Sequence, residues 1–149
     1  GFEKIGRVPN KPFPIGGVIL AAVSKDGDRA RNATREPTAT YVVNKVKNIQ
    51  NDEILTSSGA SEDDLGPMRE AVRAGKADLT KMVSDEFMRQ FNVVSGTPEE
   101  CVPIIQDLID AGMNLPIMEV VGENADMNLE TIRLLGEEVV PHLKFSGAS

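Results

Sequence analysis

The sequence predicts an α/β protein of parallel strand–helix units, with an extra helical segment set between the first unit and the second. Three apolar runs carry that reading: IGGVILAAVS (Ile15 to Ser24), NVVS (Asn92 to Ser95) and PIMEVVG (Pro116 to Gly122). Each leads to apolar residues at helical spacing, and the order strand, helix, strand, helix, strand, helix gives right-handed parallel crossovers. The chain has 149 residues, 40% of them apolar, which suits one domain with its own core. Residues 1–149 are therefore expected to form a single domain, with 48–91 as loop and helical insertion.

A proline-punctuated lead-in (Pro9, Pro12, Pro14) precedes the first run, whose unbroken apolar character predicts a strand covered on both faces. The turn KDGD follows, then a helix over about 28–46 with Ala30, Ala33 and Tyr41 on one side. Pro37 is expected to kink that helix or divide it in two. IQNDEILTSSG, residues 49–59, has no firm period and reads as loop. Ser61 is placed to cap SEDDLGPMREAVRAG, with Pro67 near a second start and Gly75 as the stop, so one or two short helices are expected there. In KADLTKMVSDEFMRQF, residues 76–91, Leu79, Met82, Val83, Phe87 and Phe91 recur at helical spacing, and Ser84 can restart the helix as a cap.

The clearest local signal follows the second run. Thr97 can cap through its hydroxyl, Pro98 suits the first helical position, and Glu100 completes a Thr-x-x-Glu capping box. Cys101, Ile104, Ile105, Leu108 and Ile109 make one apolar stripe over 98–111, Pro103 is expected to bend it locally, and Gly112 ends it. The last helix is expected over 128–143, capped by Asn128 or Asp126 and facing the sheet through Leu129, Ile132, Leu135, Gly136 and Val139.

A formal net charge of -7 and a pI near 4.8 argue against a nucleic-acid partner, since such binding needs clustered Lys and Arg, and the pair Lys45 and Lys47 is too thin to reverse that. The single cysteine, Cys101, allows no internal disulfide and no cysteine metal cluster, which points to a reducing, cytoplasmic setting without a metal. No apolar run approaches the roughly 20 residues of a membrane span, so no membrane partner is expected.

Two strand ends are candidate binding positions. Ser95, Gly96 and Thr97 lie where a strand's C-terminal end meets a helix N-terminus, whose free N–H groups and dipole suit a phosphate or carboxylate; the plain alternative is a turn and a cap. Gly122 and Asn124 carry the same two readings after the third strand, although Glu123 between them would repel an anion. Glu119 is either an inward acid or a solvent-facing strand residue, and His142 either a base or a helix-end residue. Cys101 reads as a packing thiol, Tyr41 and Asn44 as neighbours one turn apart, and Glu62, Asp63 and Asp64 as a solvated helix start. There is no nucleophile–base pair and no metal spacing, so the catalytic residues remain unassigned.

Taken together, FNVVSGTPEECVPIIQDLIDAGMN, the strand PIMEVVG and the final NLETIRLLGEEVVPHLK resemble the C-terminal end of the luciferase-like oxidoreductase family of flavin-dependent monooxygenases and deazaflavin-dependent reductases. GGVILAAVSKDGDRARNATREPTATYV looks like the family's sixth-strand region, and GPMREAVRAGKADLTKMVSDEFMRQF like its helical insertion, with the GPMREAVRAGK stretch looking like the reductases of methanogenesis in the deazaflavin branch, such as the methylenetetrahydromethanopterin reductases.

The resemblance implies a partial (β/α)8 TIM barrel of about three parallel strand–helix units, because a closed barrel needs eight. It also implies a small-molecule substrate, and an 8-hydroxy-5-deazaflavin coenzyme or flavin mononucleotide (FMN) as cofactor of the complete oxidoreductase. The isolated chain is expected to be inactive without an N-terminal barrel half, or else to be a non-catalytic half-barrel that binds or assembles. A sheet left open in this way needs cover, so a partner half or a homo-oligomer is expected to pack on Val18, Leu20, Ile117 or Val120.

Overall fold

A computed structural model describes Gly6, residues 14–47 and residues 59–145. The expected loop up to residue 58 lies outside the described residues. Strand β1 (Gly16–Val23) holds the centre of a three-stranded, wholly parallel sheet, with β2 (Val94–Gly96) on one side and β3 (Leu115–Val120) on the other. The three segments expected as adjacent parallel strands are thus one sheet. In a barrel the neighbours follow chain order, whereas here β3 pairs with β1. The lengths explain this: β2 has three residues and contacts β1 only from Ala21 to Val23, while β3 finds a six-residue ladder along β1, Gly16↔Leu115 through Ala21↔Val120.

Alternation sends Leu20 and Ala22 to one face of β1 and Ile19, Ala21 and Val23 to the other. The first face is covered by α1 (Gly27–Lys47), one uninterrupted helix with Pro37 inside it. The expected division does not occur. The missing Pro37 N–H removes one helical bond, while next to it Thr38 Oγ1 donates to the Thr34 carbonyl (2.7 Å) and Thr34 Oγ1 to that of Arg31 (2.9 Å). Against α1 lies a helical layer of α2 (Glu62–Arg73), a 3-10 turn (Thr80–Met82) and α3 (Asp85–Gln90).

Both predicted caps are present in that layer: Asp64 N–H donates to Ser61 Oγ (3.3 Å) and Phe87 N–H to Ser84 Oγ (3.0 Å). Pro67 sits inside α2 without opening a second helix, and Gly75, at φ +84°, follows its end. Val42, Val43, Leu65, Met68, Leu79, Phe87 and Met88 form the core of the layer, with Phe87 stacked on Phe91 at 4.9 Å between ring centroids.

The opposite face carries α4 (Pro98–Asp110), unbroken at Pro103, whose Cys101, Ile105 and Ile109 pack on Ile19, Ala21, Val23 and Val94. Beside it run α5 (Ala125–Leu134), a π turn (Leu135–Val139) and a last 3-10 turn (Val140–His142).

The expected bounds and face of this last helix need correction. It begins at Ala125, capped by Asn124, whose Oδ1 accepts from Met127 N–H at 3.0 Å, and neither Asn128 nor Asp126 is the cap. Its buried side chains are Met127, Thr131 and Leu134, while Leu129 and Ile132 are 65% and 56% exposed. Thr131 sets that phase, because its Oγ1 accepts from Val23 N–H (3.0 Å) and donates to the Val23 carbonyl (3.1 Å), which pins one arc of α5 to the end of β1. The π turn adds a residue to the ring, so Leu135 is buried beside Leu134, and Val139 is buried too; Gly136 is exposed.

Candidate functional site at the strand C-terminal ends

Parallel strands bring their three C-terminal ends, and the starts of α1, α4 and α5, to one edge of the sheet. Helix starts carry free N–H groups and a positive dipole end. Here the chain's own side chains meet them: Arg29 N–H donates to Asp26 Oδ1 (3.1 Å), Thr97 N–H to Glu100 Oε2 (2.8 Å), and Met127 N–H to Asn124 Oδ1.

The first predicted group, Ser95, Gly96 and Thr97, lies at the end of β2. Ser95 is buried, the Gly96 carbonyl accepts from Ser24 N–H (3.1 Å), and Thr97 Oγ1 accepts from Glu100 N–H (3.4 Å), so the capping box is complete. Gly96 is at φ +143°, and a Cβ there would overlap the Glu100 carboxylate. The glycine thus makes room for a side chain of the same protein. Glu100 Oε2 also accepts from Arg31 Nη1 (2.8 Å), and Arg31 Nη2 donates to Asp28 Oδ1 (2.7 Å). Arg31 Nε lies 3.6 Å from Asp85, which also pairs with Arg35, and Arg35 Nη1 donates to the Val83 carbonyl (2.5 Å).

These bonds set the charges. The Thr97 N–H, and after it Arg31, hold the Glu100 carboxyl below the usual carboxylate range, while Asp28 and then Glu100 push the Arg31 guanidinium higher still. Arg31, Asp85, Ser95, Glu100, Met88 and Ile104 are among the residues that line a cleft of about 400 Å³ beside them.

The second predicted group stands at the end of β3. Asn124 is the cap of α5, and the ideal Cβ position of Gly122 is 2.6 Å from Asn128 Oδ1, a buried acceptor with no hydrogen-bond partner. Arg29 reaches Glu123 (3.4 Å) and Glu130 (3.6 Å), Ser24 Oγ donates to Glu130 (3.0 Å), and Lys25 pairs with Glu138 (2.5 Å). The loop after β1 is therefore tied to α5 by the Ser24 hydrogen bond and to the π turn by the Lys25 ion pair, and Arg29 of α1 pairs with Glu130 of α5.

Of the other residues singled out, Glu119 is exposed on β3 and His142 is exposed in the last turn. Cys101 is fully buried, and burial pushes its thiol up to about 12, so it is a packing group. Tyr41 meets Phe91 edge-on at 5.9 Å with Lys45 Nζ 4.9 Å over its ring, and Glu62 pairs with Arg69 at 2.6 Å. Sequence reasoning missed the cluster of Arg31, Arg35, Asp28, Asp85 and Glu100. Its one local trace is Asp28, Arg31 and Arg35 at spacings of one helical turn; the other partners lie far along the chain.

No family model matches this chain. The 5,10-methylenetetrahydromethanopterin reductase of Methanopyrus kandleri is 29% identical over 145 residues, covering 97% of this chain and 39% of the relative. That of Methanolobus tindarius is 27% identical over 146 residues, covering 94% and 41%. The chain is similar to these reductases. It spans about two fifths of the length of these relatives. The solved coenzyme F420-dependent tetrahydromethanopterin reductase of Methanopyrus kandleri matches 88% of this chain and 36% of its own at a TM-score of 0.63 and 24% identity. The three parallel strands and their helices thus match part of that fold.

Proposed function

We propose that this chain is the C-terminal portion of a deazaflavin-dependent oxidoreductase that transfers hydride to or from a small-molecule substrate. In this reading it contributes its strand–helix units to a (β/α)8 barrel completed by an N-terminal half. The observation that carries it is similarity along 97% of this chain to a reductase of which it covers 39%. Two exposed apolar sets support it. Val18 (67% exposed) and Ile117 (48%) are register partners on the same sheet face as Leu20, and Leu129 and Ile132 stand out from α5. Leu20 and Val120 of the expected interface are half-buried.

A deazaflavin supplies the hydride chemistry, and the protein supplies position and a dry pocket. The start of α4 fits an anionic part of such a cofactor poorly, because the Glu100 carboxylate already takes the Thr97 N–H and Arg31. In this reading the described residues shape the substrate side through the cleft at Ser95, and the charged part of the cofactor is held by the other units.

Replacing the aligned segment of the Methanopyrus reductase with this chain tests the proposal. The chimera is expected to retain deazaflavin-dependent reductase activity, while the chain alone has none. A folded chimera without activity, or an active chain alone, would contradict it. The non-catalytic reading, a half-barrel that assembles with itself, predicts that folded but inactive chimera.

A further inference from the structure

The short strand β2 leaves one residue without hydrogen-bond partners. Among the described residues β2 pairs with β1 alone, so its other side is an open edge. Alternate residues of a strand turn their peptide groups to alternate sides. The Gly96 carbonyl accepts from Ser24 N–H and thus faces β1, so Ser95 turns its own N–H and C=O to the open side. Neither group has a hydrogen-bond partner among the described residues, and neither has the Ser95 hydroxyl.

Ser95 is nevertheless only 8% exposed, and groups so placed are normally hydrogen-bonded. Among the described residues Asn128 Oδ1 alone is a side-chain polar atom both sealed in and unpaired, so the Ser95 hydroxyl has an opening. The surface that Ser95 lines is the cleft of about 400 Å³. Met88 of α3 and Val93 form one apolar wall of this cleft, and Pro103 and Ile104 of α4 form the other. Its charged residues are already engaged. Arg31 meets Asp28, Asp85 and Glu100, Asp85 also pairs with Arg35, and Arg89 lies 3.5 Å from Glu86. A charged ligand would compete with these pairs, whereas a neutral one has only Ser95 to match.

We infer that this cleft binds a neutral amide carried on an apolar ring, a primary carboxamide or a lactam, whose N–H and C=O lie side by side. Its carbonyl accepts from the Ser95 N–H and hydroxyl, its N–H donates to the Ser95 carbonyl, and its ring lies between Met88 and Ile104. An apolar lining with a few convergent polar groups is the usual make-up of a small-molecule site. The inference rests on the proposed function in taking this cleft as the substrate side, and it assigns Ser95 as the residue that holds the substrate's amide. Binding needs only this chain and is read without coenzyme or turnover, so its failure is distinct from failure of the reductase reading, which the chimera decides.

Titration of the whole isotope-labelled chain with benzamide, N,N-dimethylbenzamide, benzoate and benzamidinium, followed by amide NMR, tests it. Benzamide is expected to shift the Ser95, Gly96 and Ile104 amides saturably, with the Ser95 N–H moving downfield as it donates. N,N-dimethylbenzamide has no N–H to donate and should bind roughly tenfold more weakly, the worth of about one hydrogen bond. Benzoate and benzamidinium should bind more weakly still. Ser95→Ala keeps the peptide groups and removes the hydroxyl, and should weaken benzamide roughly fivefold. Ile104→Trp, a change at a half-buried wall, should fill the cleft and abolish binding. Saturable shifts confined to other residues, or no saturable shift, would overturn the inference. So would a charged analogue that binds as tightly as benzamide, or wild-type affinity in both variants.

Discussion

Glu100→Gln tests the junction on which the C-terminal edge of the sheet depends. In the native chain one oxygen, Oε2, accepts from both Thr97 N–H and Arg31 Nη1 at 2.8 Å, joining the start of α4 to α1. Glutamine keeps the shape and one acceptor but loses the charge. Glutamine can still close a Thr-x-x-Gln box, so the cap loses the difference between a charged and a neutral hydrogen bond, about 1 kcal/mol. The Glu100 side chain is 49% exposed, so solvent screens its pair with Arg31 to about 0–1 kcal/mol. The variant should therefore lose roughly 1–1.5 kcal/mol at neutral pH, a fall in Tm of roughly 3–6 °C for a chain of this size.

The pH dependence of that loss has a definite sign. A carboxyl held below its ordinary value in the folded state stabilises the fold above the unfolded value, about 4.3 for glutamate, and that contribution is lost as pH falls through the folded value. Urea midpoints of the two proteins should differ at neutral pH and converge in acid. A difference within about 0.3 kcal/mol at neutral pH, the ordinary noise between independent sites, or a gap that persists unchanged in acid, would refute the reasoning.

Three further outcomes follow from the packing. Thr131→Val should cost about 1–3 kcal/mol by urea denaturation, because it leaves both Val23 N–H and Val23 C=O unpaired in a buried site; a loss under 0.5 kcal/mol would mean that water replaces the hydroxyl. Phe87→Ala, at the centre of the α1–α3 layer, should cost about 3–5 kcal/mol, and a small effect would show that the layer contributes little to stability. Cys101 should resist a thiol reagent at mildly alkaline pH in the native protein and react fully in denaturant, whereas fast native reaction would contradict its burial.

What the sequence disclosed was whatever is decided within a few residues. Ser61, Ser84 and the Thr97–Glu100 box were legible because a cap is a local contest between a side chain and the next turn's N–H groups. The start of α5 was not, because Asn124, Asp126 and Asn128 are all competent caps in one short stretch, and Asn124 is the one capped onto in the fold. Its buried arc was misread for a related reason: Leu129 and Ile132 have the right period, but Thr131 fixes the rotation through β1, more than a hundred residues away. Strand order was illegible too, since it depends on how much edge β2 leaves for β3. The expected site residues were visible as strand ends, yet their neighbours were not, because Glu100 and Arg31 meet across 69 positions of sequence.

The central claim is that this chain is one portion of a deazaflavin-dependent barrel enzyme. The most direct measurement is a fluorescence titration of the deazaflavin coenzyme into the chain alone and into the chain joined to the N-terminal part of a related reductase. The account predicts no saturable change with the chain alone and one coenzyme bound per joined chain. Tight binding by the chain alone, or none by a folded joined protein, would contradict it.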